Sequence, residues 1–311
     1  SFYAVGPYYP WSVSNGSAGL AQLQEYGANF WGYWNIPYGG EIRIIESMQS
    51  GLGRYDQEKC GRIDQLIEWS EERGLKMMFA IWPHDLLSNT VWAHQWHNNP
   101  YNSITSVNDF WSSEEAWLYQ ERQYRYLIAR WGYSRALGIW EIVNEVNGTD
   151  AWQNGRQQEA RRWVGRVHEF FKANDPTGRP TTASMSGGQY WPEGYAEVDI
   201  SNVHMYETGW LAPHGGNPLR SSVYTYSNVT RQMWNDFQQP AILGEAGYTD
   251  NYGDFGGGTP EYTQMFHNAL WASWANGLAA TPVWWEFGSK QLMTRDVMQQ
   301  LNAFAEIVKH I

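Results

Sequence analysis

Short apolar runs rich in β-branched and aromatic residues recur along the whole chain. Each run is followed by a Gly, Pro or polar loop and then by a helical pattern, which predicts parallel strands separated by helices. The eight runs of this kind cover residues 2–6, 28–34, 75–82, 137–145, 180–186, 199–206, 240–247 and 278–286. Eight is the number of strands that closes a (β/α)8 barrel of the TIM type, so an α/β barrel is the predicted fold.

Helical patterns fill most of the connections between these runs. They cover residues 56–73, 113–131, 151–174, 222–237, 259–276 and 290–310, while two connections, at 18–26 and 189–197, hold only short helices. An open doubly wound sheet is disfavoured because no Gly-rich phosphate loop follows any predicted strand. Without an internal repeat or a linker, residues 1–311 are expected to form one domain.

Composition narrows the possible partners. The 32 acidic and 21 basic residues give a formal net charge of -11, which repels nucleic acid and anionic membrane surfaces. The 20 Trp and 20 Tyr exceed what a core of this size needs, and such rings offer flat faces to neutral sugars. With one cysteine, Cys60, no internal disulfide can form, and we expect a monomer with no cofactor.

Two glutamates stand where predicted strands end. Glu145 closes the fourth run directly after Asn144, and Glu245 ends the apolar seventh run abruptly. A single acid there could equally be structural, paired with an arginine or capping a helix. Two acids on strands four and seven instead suit glycoside hydrolysis, in which one carboxyl protonates the leaving oxygen and the other attacks or activates water.

The residues around these acids carry a family resemblance. Four short motifs resemble, in their order and strand placement, the clan of retaining glycosidases that includes glycoside hydrolase family 5. They are Asn144-Glu145, His204-Met205-Tyr206, Glu245 and Trp284-Trp285. The resemblance extends from predicted strand three to predicted strand eight.

The resemblance implies a role for each matching residue. Glu145 would be the general acid/base and Glu245 the nucleophile, with carboxyl groups about 5 to 5.5 Å apart as retention requires. Asn144 would bond the sugar 2-hydroxyl, Tyr206 would hold Glu245 ionised, and His204 would line the same wall. Glu145 is therefore expected to have a raised pKa. Glu245 is expected to accept hydrogen bonds from donors that keep it ionised.

Aromatic and histidine side chains complete the expected substrate wall. Trp285 would stack under the reacting sugar. Trp284 would take this place if its ring points inward, because neighbouring residues on a strand face opposite ways. His84, at the end of predicted strand three, matches a substrate-contacting histidine, and Trp34 is assigned to the same wall. The family usually places an arginine near the end of strand two, where residues 31–35 of this chain have none.

Other chemistries fit the sequence less well. His94 and His97 stand three apart, but without a clear third ligand no metal site is predicted. Glu141 is interpreted as a structural acid deeper in the barrel, paired with a cation. The absence of a Gly-x-Ser-x-Gly elbow disfavours an α/β-hydrolase.

The leading function is therefore a retaining endo-β-glycanase acting on a β-glucan or mannan. An exo-acting β-glycosidase and an inactive sugar-binding barrel are the alternatives. The expected partner is an oligo- or polysaccharide, and the expected location is secreted or periplasmic, on the strength of the function alone.

Overall fold

The computed structural model describes residues 3–8, 16–35, 44–208, 218–249, 259–285 and 294–310. Six parallel strands lie side by side in sequence order within one sheet. They are β1 (Phe30–Trp34), β2 (Lys76–Pro83), β3 (Leu137–Asn144), β4 (Thr181–Met185), β5 (Ile200–Thr208) and β6 (Ala241–Thr249). These are the second to seventh strands predicted from the sequence.

The first and eighth predicted strands lie between β1 and β6 and connect the two edges of the sheet. They pair through single bridges, Ala4 with Ala280 and Tyr8 with Trp285. Backbone hydrogen bonds join both segments to each other and to the sheet, for example Thr281 N to Ala4 O at 2.8 Å. The α/β barrel fold predicted from the hydrophobic pattern is confirmed.

These two segments are not regular ladders, and prolines give the reason. Pro7 directly follows the first of these runs and Pro282 lies within the eighth, and neither has an N–H to donate, so a continuous ladder cannot form there. Gly6 passes so close to β1 that a Cβ atom would lie 1.6 Å from the carbonyl oxygen of Phe30. The barrel is thus closed by close backbone packing as well as by hydrogen bonds.

Helices cover the outside of the barrel in the described ranges. They are α1 (Gly16–Glu25), α2 (Gln57–Glu72), α3 (Glu114–Trp131), α4 (Asp150–Gln153), α5 (Gln157–Asn174), α6 (Pro192–Tyr195), α7 (Pro218–Phe237), α8 (Pro260–Ala275) and α9 (Arg295–Val308). Polar caps begin several of them: Asp56 caps α2 and Ser113 caps α3. The predicted helix at 151–174 is in fact two, because Gly155 takes a left-handed φ of 82° between α4 and α5.

The period-two pattern of the strands separates two apolar layers. In β1, Phe30 and Trp34 point into the barrel, while Trp31 and Tyr33 pack outward under the helices. The inner layer is small and gives way to polar side chains toward the carboxyl ends of the strands. No helix in the described part of the chain is long and apolar enough to cross a membrane.

Candidate active site

Glu145 follows β3 in a strained backbone conformation. Its φ of 55° and ψ of 61° are left-handed, a region that a glutamate rarely occupies. Its amide nitrogen donates to Ser184 Oγ on β4 at 2.8 Å, which holds this turn against the neighbouring strand. The turn directs the carboxylate back over the barrel, where it is 7% exposed.

Glu245 reaches the barrel interior because β6 contains a bulge. The pairing with β5 shifts between Asn202–Ile242 and His204–Glu245. Ile242 lies in the inner layer, so strict alternation would direct residue 245 outward; the extra residue brings Glu245 inward instead. Gly244 occupies the bulge and donates from its amide to Asn202 Oδ1 at 2.8 Å.

His204 lies between the two glutamates and contacts both. Its Nδ1 is 2.7 Å from Glu145 Oε1 and 3.2 Å from Glu245 Oε2. The three groups each offer an atom within 4.8 Å of the others, and His204 is fully buried. The structure therefore brings together the two acids that the sequence singled out, and places the buried His204 in contact with both of them.

Two further groups complete the contacts of these acids. Tyr206, also on β5, donates a short hydrogen bond from its hydroxyl to Glu245 Oε1, as the resemblance implied. Deeper in the barrel, Glu141 Oε1 lies 4.0 Å from His204 Nε2 and accepts from Asn202 Nδ2 at 3.4 Å. His204 is the cation that the sequence predicted beside Glu141.

The pKa shifts do not follow the sequence expectation. Burial raises the pKa of Glu245 to about 7, although His204 and Tyr206 oppose it. Burial also disfavours the charged form of Glu145, but the hydrogen bond and charge of His204 outweigh it and lower the pKa of Glu145. The reason is geometric, since the imidazole is nearer to Glu145 than to Glu245.

His204 itself holds a proton in this arrangement. Burial disfavours the imidazolium, but the carboxylates of Glu245 and Glu145 outweigh burial and raise the pKa of His204 to about 9. The three groups are close enough for the titration of each to depend on the other two. At neutral pH a proton therefore lies within hydrogen-bonding distance of Glu145.

His84 and Asn144 lie on the other side of Glu145. His84 Nδ1 is 3.6 Å from Glu145 Oε2 and 3.3 Å from Asn144 Oδ1, and its Nε2 is 3.2 Å from Asp85. The ring of Trp34 stacks on His84 with centroids 6.1 Å apart. The predicted wall residues His84, Asn144 and Trp34 thus all border the acids.

The tryptophan pair separates as strand alternation requires. Trp285 points inward and meets Trp34 edge-on, with centroids 5.3 Å apart. Trp284 is fully buried on the outer face, where its indole N–H donates to Tyr262 on α8 at 2.6 Å. Trp284 therefore does not border the glutamates, and Trp285 is the ring of the pair that faces the barrel interior.

Tyr8 was missed by sequence reasoning. It lies just beyond the first predicted strand, its ring meets Trp285 with centroids 5.0 Å apart, and its hydroxyl has no hydrogen-bond partner in the described part of the chain. Burial and the charges of Glu141, Glu245 and Glu145 raise its pKa far above the ordinary value. Its place at the end of a predicted strand, where the mouth of a barrel lies, could have identified Tyr8 as a candidate site residue.

The cluster of Glu145, His204 and Glu245 also has the composition of a metal site, but its geometry is that of hydrogen bonds. Ligand atoms of a tetrahedral zinc ion lie roughly 3.3 Å apart, given metal–ligand bonds of about 2.0 Å. His204 Nδ1 and Glu145 Oε1 are only 2.7 Å apart, a hydrogen-bonding distance. The arrangement suits proton sharing between an acid and an imidazole.

No protein-family model matches the sequence, and no curated protein sequence matches it significantly. Solved structures, in contrast, match nearly the whole chain. The endo-1,4-β-mannanase from Rhizomucor miehei aligns with 100% of this chain and 96% of its own, with a TM-score of 0.74 and 14% identity. The endo-β-1,4-mannanase from Thermotoga petrophila aligns with 98% of this chain and 77% of its own, with a TM-score of 0.71 and 13% identity.

A glycoside hydrolase family 5 mannosidase from Rhizomucor miehei also matches. It aligns with 99% of this chain and 95% of its own, with a TM-score of 0.66 and 13% identity. The family named for this last neighbour is the one that the sequence motifs resemble. At such identities the likeness shows a shared fold, and this chain has the barrel fold of the family 5 glycoside hydrolases.

Proposed function

We propose that this protein is a retaining β-glycoside hydrolase with Glu145 as general acid/base and Glu245 as nucleophile. The observation that carries the proposal is the meeting of the two buried glutamates, from β3 and β6, with carboxyl oxygens within 4.8 Å of each other. Retaining enzymes use carboxyls about 5 to 5.5 Å apart, whereas inverting enzymes need roughly 6.5 to 9.5 Å to admit a water molecule.

In the first step Glu245 attacks the anomeric carbon and a proton from Glu145 passes to the glycosidic oxygen as the bond to that oxygen breaks. A glycosyl ester of Glu245 results. In the second step Glu145, now ionised, removes a proton from water, which attacks the same carbon and releases Glu245. His204, hydrogen-bonded to Glu145 at 2.7 Å, can supply the proton that Glu145 donates in the first step and take up the proton that Glu145 removes from water in the second.

Neighbouring residues support these roles. The hydroxyl of Tyr206 donates to Glu245 and favours the ionised nucleophile. Asn144 lies beside Glu145 and its amide nitrogen has no hydrogen-bond partner within the described ranges, which suits a bond to a sugar hydroxyl. Trp285 offers an inward aromatic face for the reacting sugar.

The proposed substrate is a β-linked polysaccharide of the glucan or mannan type, cleaved within the chain. Two of the structural neighbours are endo-mannanases, which makes β-mannan the first substrate to test. The long segment at residues 84–111, which follows the carboxyl end of β2, could accommodate several sugars of such a polymer. A secreted or periplasmic location would fit a polymeric substrate.

The stereochemistry of the product tests the mechanism. NMR of the first-formed anomer should show retention, and an inverted product would refute the proposal. For Glu245→Ala, azide should restore turnover and give a product of inverted configuration, because it enters from the vacated side. For Glu145→Ala, azide should give a product of retained configuration, so an exchange of the two outcomes would exchange the two roles.

Product analysis tests the endo-acting proposal separately. An endo-acting enzyme should release a mixture of oligosaccharides from β-mannan or β-glucan early in the reaction. Monosaccharide as the sole early product would instead establish exo action. No cleavage of any β-glycoside would support the inactive sugar-binding alternative.

A further inference from the structure

Trp92 lies next to the proposed acid/base and belongs to none of the motifs that define the site. Its partly exposed ring meets His84 edge-on, with centroids 5.1 Å apart and an interplanar angle of 87°. It also covers Gly148, where an added Cβ atom would lie 2.3 Å from the indole. Gly148 is three residues beyond Glu145, so the indole packs directly on the turn that carries this acid.

The backbone at Trp92 is strained, with a φ of 49°. A bulky aromatic residue seldom adopts a left-handed conformation, and strain of this kind persists only where the surroundings enforce it. The loop around Trp92 is closed at its base by two backbone hydrogen bonds, Gln95 N to Asp85 O and Trp96 N to Ser88 O, both 2.9 Å long.

A buried carboxylate fixes the same loop from the side of α4. Asp150 is 3% exposed, and its Oδ1 accepts from Ser88 Oγ at 3.2 Å, from the amide and hydroxyl of Thr90 at 3.0 and 3.1 Å, and from Val91 N at 3.2 Å. Four donors on one oxygen hold the residues just before Trp92. Asp150 follows Glu145 by five residues, so these hydrogen bonds tie the loop to the segment that carries the acid.

The position of Trp92 determines which sugar it can meet. His84 separates Trp92 from Trp34, and Trp34 in turn contacts Trp285, the proposed floor for the reacting sugar. Trp92 is therefore at the opposite end of this row of rings, on the side of Glu145. The general acid protonates the oxygen of the departing sugar, so the departing sugar lies on that side.

We propose that Trp92 is the stacking platform for the sugar on the leaving-group side of the scissile bond, held in place by Asp150 and the strained loop at residues 88–96. This inference rests on the proposed glycosidase function and identifies a further binding subsite for a pyranose ring. Flat apolar sugar faces pack well on an indole. The subsite makes Trp92 a determinant of specificity for substrates longer than one sugar.

Paired substrates test the proposal. One is an oligosaccharide, and the other is a glycosyl fluoride with the same glycone, whose leaving group is a single atom and cannot stack. Trp92→Ala should lower kcat/KM for the oligosaccharide by about tenfold or more and change that for the fluoride by less than about twofold. Transfer of the glycosyl group to an added sugar acceptor should fall in parallel, because the acceptor uses the same subsite.

Further variants separate stacking from folding. Trp92→Leu keeps apolar volume without a flat face and should show the same substrate-dependent loss, whereas Trp92→Phe should keep most of the activity. Trp234→Ala removes a tryptophan that is 53% exposed on α7 and should leave kcat/KM unchanged for both substrates. Asp150→Ala releases the loop with the indole intact and should reproduce the selective loss.

Two results would overturn the inference. Equal losses of kcat/KM on both substrates would place Trp92 on the side of the reacting sugar or in a purely structural role. Unchanged kinetics on both would remove it from the site altogether. A failure of the proposed glycosidase function would give a different result, because the unmodified enzyme would then hydrolyse neither substrate. Glu245→Ala provides the inactive reference.

Discussion

Adjacent residues on a strand can have unrelated roles, and the tryptophan pair illustrates how packing decides between them. From sequence alone, alternation indicates that one ring points inward, but not which. The outer face needs a large apolar side chain under α8, where Trp284 meets Phe266 and Tyr262. The identity of the inward ring therefore depends on the fit against α8, a tertiary contact that no local pattern contains.

Replacing each tryptophan by alanine should separate activity from stability. Trp285→Ala should lower kcat/KM by more than about tenfold, equivalent to about 1.4 kcal/mol of transition-state stabilisation, because the sugar loses its aromatic floor. Trp284→Ala should leave a large cavity and lower the free energy of unfolding by about 3 to 5 kcal/mol. Steady-state kinetics and chemical denaturation measure the two effects, and equal, small losses of activity in both variants would contradict this assignment.

The two glutamates also show what a local sequence pattern can and cannot predict. The ends of predicted strands four and seven located Glu145 and Glu245 because an acid closing an apolar run is costly to bury unless it is paired or used. The pKa shifts of the two acids nevertheless run opposite to the sequence expectation, because they depend on the position of His204, whose Nδ1 is 2.7 Å from Glu145 and 3.2 Å from Glu245. Distances on that scale are set by three-dimensional packing.

At the level of elements, the order of strands and most helix positions could be predicted, because they follow from periodicity and capping residues. The bulge in β6 could not. An unbroken period-two pattern through residues 240–247 would place Ile242 and Glu245 on opposite faces, yet both point inward. Only Gly244, in the middle of the apolar run, hinted at an irregular backbone.

Gly244→Ala should disrupt this bulge. An added Cβ atom would lie 2.3 Å from Asn202 Oδ1 and 2.4 Å from its Nδ2, so Asn202 or the strand must move. We expect a loss of about 1 to 3 kcal/mol in the free energy of unfolding, together with a loss of kcat/KM as Glu245 shifts from its place. Thermal or chemical denaturation and kinetics on the same preparation provide the measurement.

Gly61→Ala is the matched control for this substitution. Gly61 lies within α2, and a Cβ atom there would meet nothing within 4 Å. Alanine favours a helix over glycine by about 1 kcal/mol, so this variant should be slightly more stable and fully active. Wild-type activity in Gly244→Ala would show that the bulge does not position Glu245.

Over the described part of the molecule, three buried glutamates and two buried histidines have pKa values raised to between about 7 and 9. Burial raises the pKa of Glu46, Glu141 and Glu245 to about 7 in each case. Nearby carboxylates outweigh burial and raise the pKa of His84 and of His204 to about 9. Composition shows only an excess of acids, so this property of the fold arises from which groups the barrel and its loops enclose.

These shifts predict that stability falls as the pH rises. For the three glutamates the folded protein binds the proton more tightly than the unfolded chain, so their stabilising effect is complete below about pH 4.5 and is lost as the pH rises through about 7. For the two histidines it is complete below about pH 6.5 and is lost as the pH rises through about 9.

The free energy of unfolding should therefore decrease steadily between about pH 5 and 9, by at most about 1.4 kcal/mol per pH unit for each titrating group. Chemical denaturation at a series of pH values measures this slope. Glu141→Gln removes one of the glutamates that titrate in the lower half of this range and should flatten the slope between about pH 5 and 7. The slope due to His84 should persist above pH 7. A free energy of unfolding that stays constant or increases from pH 5 to 9 would contradict this prediction. It would mean that the folded protein does not bind protons at these glutamates and histidines more tightly than the unfolded chain does.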